Sequence, residues 1–313
     1  SSGSASDSTV AGVNNTASAN SSSAFGYFNT AGGLASSAFG WSNTASAENA
    51  SAFGYVNEAS GLASSALGFR NKAANENASA VGYGNNAGGV ASSAFGFSNV
   101  AKVDYASAFG YSNEASGLAS SAVGFRNKAA SENASAVGYG NNANALAASA
   151  VGYNNTAGGL ASSAFGFSNT ASGDNANAFG YNNIASGSKS NVFGTGNTVS
   201  GSSSTAVGTA NEVAAENSTA IGNNNTISSG AENSAALGNN ISISLKDSVA
   251  LGNNSTATAI NSVTGNSSYT KWAGVSDVVG VVSVGSSGAT RQIQNVAAGQ
   301  VSATSTDAVN GSQ

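Results

Sequence analysis

The sequence contains no cysteine, proline, histidine or methionine, and Asp, Glu, Lys and Arg together make up only 7 % of it. Without cysteine there is no disulfide framework and no thiolate chemistry. Without His or Cys, and with acids such as Glu48, Glu76 and Glu132 standing singly at turn positions, general acid–base or nucleophilic catalysis has little to work with. No enzyme, cofactor or metal site is expected; Asp is too rare for calcium-binding GGxGxD repeats, and Thr rows are too few for an ice-binding solenoid. Nine basic residues against fourteen acidic ones leave a formal charge of −5. That argues against nucleic acid as a partner, because phosphate affinity is built from clustered cations. No run approaches the ~18 consecutive apolar residues of a membrane span. No charged and apolar leader stands at Ser1 and there is no initiator Met, so the chain reads as a piece of something longer.

What is present is a register. Glycine recurs every 14 residues from Gly12 to Gly222, and after a two-residue insertion the series resumes at Gly238 and Gly252. Asn stands three residues after each glycine, from Asn15 to Asn225. Ala stands five residues after, giving way to Val199, Val213 and Ile227 in later copies. The residue before glycine, from Phe25 to Ile221, is always Phe, Leu, Val or Ile. Composition alone, rich in Ser, Asn, Ala and Gly, would suit a disordered segment, but disorder gives no reason to hold an apolar side chain at one phase. A fixed period marks a solenoid, and one this short suits a single coil of a parallel β-roll rather than a pair of helices. About fifteen to eighteen rungs over residues 8–257, at ~4.8 Å each, would give a rod roughly 70–85 Å long.

Within the copy that begins at Ser51, one extended stretch centres on Ala52-Phe53-Gly54-Tyr55 and another on Asn57-Glu58-Ala59, with turns at Ser60-Gly61 and Ser64. Period-two alternation predicts Ala52 and Gly54 on one face and Phe53 and Tyr55 on the other. The thin interior favours Ala and Gly inside, with the bulky Phe/Val row (Phe53, Phe95, Phe109, Val137, Phe179) outside and in need of a partner surface. The reverse placement is the alternative. In-register stacking turns the Asn row into an amide ladder, a turn position, or both. A second row, from Tyr27 and Trp41 to Tyr181, is aromatic before changing to Thr195, Thr209 and Asn223; it reads as packing against a neighbouring chain or as a ligand-binding strip. Glu58 and Lys72 share a phase in consecutive coils, as do Glu114 and Lys128, so each pair should face across adjacent rungs. With Arg70 and Arg126 beside the lysines, these six residues form a candidate ligand surface or simply solvated ladder contacts. Residues 60–86 and 116–142 are almost identical, a block duplication four coils apart.

The repeat and the tail together resemble the head and neck of a YadA-like trimeric autotransporter adhesin. The copy at Ser37 reads SAFGWSNTA, close to the family form S-x-A-x-G-x-x-S-x-A-x-G, with Asn for the usual Ser. Residues 281–313 carry SVG, RQIxNVAAG and TDAVNxxQ in order, as the family's neck does. The resemblance implies an all-β, left-handed parallel β-roll of three chains over residues 1–258, an insert at 259–280 containing Tyr269, Trp272 and Asp277, and a neck at 281–313 that leads to a coiled-coil stalk. Trp272 reads as a packing anchor. Arg291 and Asp307, the only charged residues of the neck, are expected to pair, between chains, with Gly285, Gly288 and Gly299 allowing tight chain paths. The implied function is a homotrimeric adhesin head on the outer membrane of a Gram-negative bacterium. It would bind collagen, fibronectin or laminin, or itself in autoaggregation and biofilm, and serve virulence; membrane contact would come only through a C-terminal anchor outside this sequence. The alternative is a spacer that projects another binding domain.

Overall fold

The structure is a computed structural model that describes residues 2–3, 5–261, 273–274 and 277–313; Tyr269 and Trp272 lie outside the described residues. The described residues contain strands and turns and no helix. They form two compact units, Ser1–Tyr181 and Asn182–Gln313.

In the first unit each coil contributes a five-residue strand and a two-residue strand, such as Ser51–Tyr55 and Glu58–Ala59. Like residues pair in parallel register from coil to coil: Ala52 with Ala66, Gly54 with Gly68, Glu58 with Lys72. The turns are hydrogen-bonded along the stack as well, Val56 N–H to Trp41 O at 2.9 Å and Ala63 N–H to Glu48 O at 2.9 Å. Val56 and Ala63 both hold the left-handed conformation, with φ of 56° and 53°. Such a residue recurs every seven positions, including Phe28, Arg70 and Tyr105. Two corners per coil bend the chain back on itself, and the coil-to-coil hydrogen bonds hold side chains that would otherwise avoid this region.

The interior is narrow and made of small residues. Ala52 and Ala59 are fully buried, with Asn57 and Ser64 between them. This settles the inside–outside question in favour of alanine, and it corrects one expectation. Gly54 is exposed and does not share the inner face with Ala52. Its φ of 120° breaks the alternation, and a Cβ there would overlap the carbonyl oxygen of Gly68. Glycine is required by its backbone conformation and by the close approach of the next coil, not by a thin interior.

The asparagine ladder is the polar spine of the coil. Asn57 Nδ2 donates to Asn43 Oδ1 at 2.9 Å, to Phe53 O at 2.9 Å and to Gly68 O at 2.7 Å. Its own Oδ1 accepts from Asn71 N and Nδ2, both at 3.0 Å. A buried amide is costly unless paired, and here donors and acceptor are all used. The row is therefore both turn and ladder.

The second unit repeats the coil with larger residues inside: Val192, Val199, Val213, Ile227 and Ile243 are fully buried. The ladder passes from Asn197 to Asn225 and ends where Ile241 takes the Asn phase. Val282–Ser283 then pairs with Val249 and Ala250 as the next rung. The last described two-residue strand before this rung is Thr256–Ala257.

Candidate interaction surfaces

The long strand aims alternate side chains away from the roll. Phe53, Phe109 and Val137 are 36–37 % exposed, while Phe95 and Phe179 are half-buried. Parallel register places identical residues one rung apart, so rings stack: Phe95 on Phe109 at 5.2 Å between centroids, Phe165 on Phe179 at 5.0 Å. Two residues along the strand the aromatic row does the same without a gap. From Tyr55 to Phe167 successive rings lie 4.7–5.0 Å apart and within about 7° of parallel. Stacking covers the ring faces with one another and turns ring edges and Tyr hydroxyls outward, which disfavours a ligand that needs an open aromatic face.

The six candidate charged residues lie in two copies of one motif. Lys72 Nζ lies 3.1 Å from Glu58 Oε1, and Lys128 Nζ lies 3.7 Å from Glu114 Oε2, the contacts expected across adjacent rungs. Each arginine lies beside the aromatic row: the guanidinium carbons of Arg70 and Arg126 sit 5.1 Å from the centroids of Phe69 and Phe125, whose faces are already stacked on the neighbouring rings. This arginine–ring contact escaped the sequence reading, although Phe-Arg at the end of each of these two long strands was its signal. The pairs are half-exposed, and an exposed pair is worth little to stability.

At the end of the second unit the expected Arg291–Asp307 pair does not form within the chain. Arg291 donates to Val284 O at 2.7 Å, to Asn253 O at 2.5 Å and to Ser255 Oγ at 3.2 Å. Its guanidinium lies over Gly252, where a Cβ would be 3.0 Å from Cζ. That is the place a following coil's glycine carbonyl takes at Gly54. The Val282–Ser283 rung pairs with Val249 and Ala250 and stops short of Gly252, and the arginine supplies donors to the carbonyls there. Asp307 instead accepts from Gln300 N–H at 3.0 Å. Gly285 and Gly299 are held tightly, since a Cβ on either would overlap the carbonyl oxygen of Ala289 or Ala308.

Among the described residues no three His, Cys, Asp or Glu side chains come together as a metal site, and no helix is long and apolar enough to cross a membrane. What the coil builds is surface, repeated at each rung. The model of the YadA head domain repeat in two copies matches residues 4–29, 31–56, 59–85, 87–113, 115–141, 157–183, 200–225 and 246–263, well over half of the chain. The chain belongs to the YadA head repeat family. Among solved structures, a C-terminal YadA-like domain from Burkholderia pseudomallei is similar at 26 % identity with a TM-score of 0.21, covering 39 % of this chain and 44 % of that one. This chain thus spans less than half of that domain's length. No curated protein matches the chain. The YadA head family and the β-solenoid are those of an adhesin-type, surface-exposed bacterial domain with a structural and adhesive role.

Proposed function

We propose that this YadA head is a homotrimeric adhesin module that attaches a Gram-negative bacterium to an extended matrix protein (collagen, fibronectin or laminin) or to a second cell. The observation that carries the reading is the unpartnered apolar face of the first unit, where the Phe/Val row and the stacked aromatic row run side by side on the outside of the roll. Soluble monomers rarely expose a contiguous apolar strip of this length. Three chains packed through Phe53, Phe95, Phe109, Val137 and Phe179 would cover it. The remaining faces would then offer one weak contact set at each rung, and repetition supplies avidity without a pocket. Glu58, Arg70, Lys72, Glu114, Arg126 and Lys128 are available to such contacts because they stand on the surface. The boundaries 1–258, 259–280 and 281–313 divide this module into head, insert and neck, and outer-membrane placement, biofilm formation and a part in virulence follow from the adhesin reading.

The test is a binding screen of the purified chain on matrix proteins and on itself, together with its mass by light scattering. Deleting residues 60–115 removes four whole coils and keeps the register. A distributed site weakens gradually under this deletion. Abolished binding by a folded trimer would place the function in one epitope. Absence of binding before deletion would leave the spacer reading.

A further inference from the structure

The coil holds asparagine in two settings. Ladder asparagines are followed two residues on by the buried residue of the short strand, Asn57 by Ala59 and Asn211 by Val213. Nine residues after the glycine the setting is different. Asn49, Asn77, Asn133 and Asn217 each begin a triplet Asn-x-Ser or Asn-x-Thr, with Ser51, Ser79, Ser135 and Thr219 in third place. All four asparagines are exposed and hold the left-handed conformation, with φ between 51° and 57°. Their side-chain amides make no hydrogen bond among the described residues. The middle residue, Ala50, Ala78, Ala134 or Ser218, is buried and fixes the corner. The third residue opens the long strand and is half-buried, as in Ser51–Tyr55 and Thr219–Asn223.

The fold explains each letter of the triplet separately. Asn tolerates positive φ at the corner, and Ser opens most of the long strands. Neither demand requires the other. Asn175 and Asn233 hold the same corner, with φ of 56° and 58°, and have Asn177 and Ala235 in third place. What the four corners have in addition is chemical: an exposed Asn-x-Ser/Thr turn is the acceptor form for an N-linked sugar. The acceptor nitrogen must be reachable. Asn57 Nδ2 is not, since it donates three hydrogen bonds inside the roll. The corner amides are, and the exposed acids that precede them, Glu48, Glu76, Glu132 and Glu216, keep this edge hydrophilic. The edge stands at the opposite end of the long strand from the aromatic row, so a sugar there leaves the outer aromatic and apolar rows uncovered. Asn49 and Asn77 are two rungs apart, about 9.6 Å at the usual strand spacing, with room for a pyranose ring on each. The triplet also occurs elsewhere, as at Asn154 and Asn224, but there it begins at the corner that follows the aromatic row or its continuation.

We infer that Asn49, Asn77, Asn133 and Asn217 are acceptor sites for N-linked glycosylation. In that step Nδ2 attacks the anomeric carbon of a hexose carried on a diphosphate donor. The new C–N bond replaces the anomeric C–O bond, the diphosphate leaves with its nucleoside or lipid, and one amide proton passes to a base of the transferase. This chain supplies the acceptor; the transferase is a separate protein. The inference goes beyond the adhesive reading and does not depend on which surface the head binds.

The experiment uses the full chain isolated from the bacterium that makes it, with the same chain from a host without an N-glycosyltransferase as reference. Peptide mass spectrometry, with fragmentation that keeps the sugar attached, locates the modification. Added hexose mass is expected on Asn49, Asn77, Asn133 and Asn217, and none on Asn175, Asn233 or the ladder residue Asn57. A single hexose identifies a nucleotide-activated donor and a preassembled oligosaccharide a lipid-linked one; either supports the assignment. In the same bacterium Ser79→Ala should abolish the modification at Asn77 and leave the other three, while Ser79→Thr should keep it. Asn177→Ser should create it at Asn175. These positions lie at the surface, and an unchanged circular dichroism spectrum checks the fold of each variant. Four bare asparagines in the native chain, sugar on the Ser51 and Ser79 hydroxyls instead, or equal modification of Asn175 and Asn77 would each overturn the inference. So would full modification of Asn77 in the Ser79→Ala variant. Bare corners on a chain that binds a matrix protein would end this inference and leave the adhesive reading standing. Sugar on all four corners of a chain that binds nothing would do the reverse.

Discussion

The two units use one coil in two ways. From Thr16 to Tyr181 every short strand ends in a buried alanine, and the apolar mass lies outside in two stacked rows. From Asn182 onward Val199, Val213, Ile227 and Ile243 bring that mass inside, and the outer aromatic row becomes Thr195, Thr209 and Asn223. The hydrogen bonding hardly differs: Asn57 to Asn43 is 2.9 Å in the first unit, and Asn197 to Asn183 is 3.0 Å in the second. The coil is therefore set by its backbone and its amide ladder, and side-chain volume can sit on either side of the wall. The energetic consequences differ. A buried Val or Ile contributes about 1.5–3 kcal/mol, which an alanine core lacks. On the trimeric reading proposed above, the first unit would recover this by covering its outer rows, and its stability would be tied to association more strongly than that of the second.

The severest test of a shared ladder is to cut it. Asn113→Ala removes the side-chain donor to Phe109 O and Gly124 O and leaves Asn127 N–H without its acceptor, while Asn99 Oδ1 keeps the residue-113 N–H and Asn127 Nδ2 keeps Val123 O and Gly138 O. Each unpaired buried group costs about 1–3 kcal/mol, so a loss of about 3 kcal/mol or more is expected in the neighbouring coils. Native-state hydrogen exchange is the suitable measurement, since a long repeat array need not unfold as one unit. The second unit already carries a break at Ile241, flanked by buried Ile227 and Ile243. If Asn113→Ile proved as harmless as that natural break, the claim that the alanine-cored unit depends on its ladder would fall.

Exchanging the cores comes next. Ile227→Ala opens a cavity and should cost about 2–5 kcal/mol in the second unit. The reverse change in the first, Ala115→Ile, should cost about 1–3 kcal/mol through overpacking. Local exchange protection around each site reads both. A stabilising Ala115→Ile would mean that the first unit has unused interior room, contrary to its tight Ala-Asn packing.

The outer rows separate the units by association. Phe95→Asp with Phe109→Asp removes two stacked rings, each worth about 2 kcal/mol when covered, and places charges where a partner chain would lie. Light scattering should find a lower mass and a lower melting temperature. Tyr139→Thr with Tyr153→Thr imitates the second unit's outer row and should weaken association less. An unchanged mass in the Asp variant would mean that the row faces elsewhere.

Much of this was legible in the sequence, because a solenoid converts phase into position. Glu58 and Lys72 share a phase and therefore meet. Gly54 was legible as a required glycine but not for its reason, since φ does not appear in a composition pattern. The corners at Phe28, Val56 and Arg70 gave no warning, because these residue types do not favour positive φ and are held there by hydrogen bonds between coils. The contacts of Arg291 to Val284 O and Asn253 O within its own chain depend on the local fold, which its charge alone did not indicate.

The smallest expected effect belongs to the Glu58–Lys72 and Glu114–Lys128 rungs. Their side chains are 44–51 % exposed, so solvent screens the attraction, and holding two long side chains together costs entropy. Lys72→Met should cost no more than about 0.5 kcal/mol, and less as salt is raised. The change also leaves Glu58 unneutralised, as Glu48 and Glu76 already are on the other edge. If exposed carboxylates on this roll are tolerated wherever they stand, local exchange around coil 51–64 will hardly move. A cost several times larger than that of an ordinary exposed pair would show that the charged rungs fasten the alanine-cored coils together. The first unit would then have an internal source of stability, and its expected dependence on association would weaken.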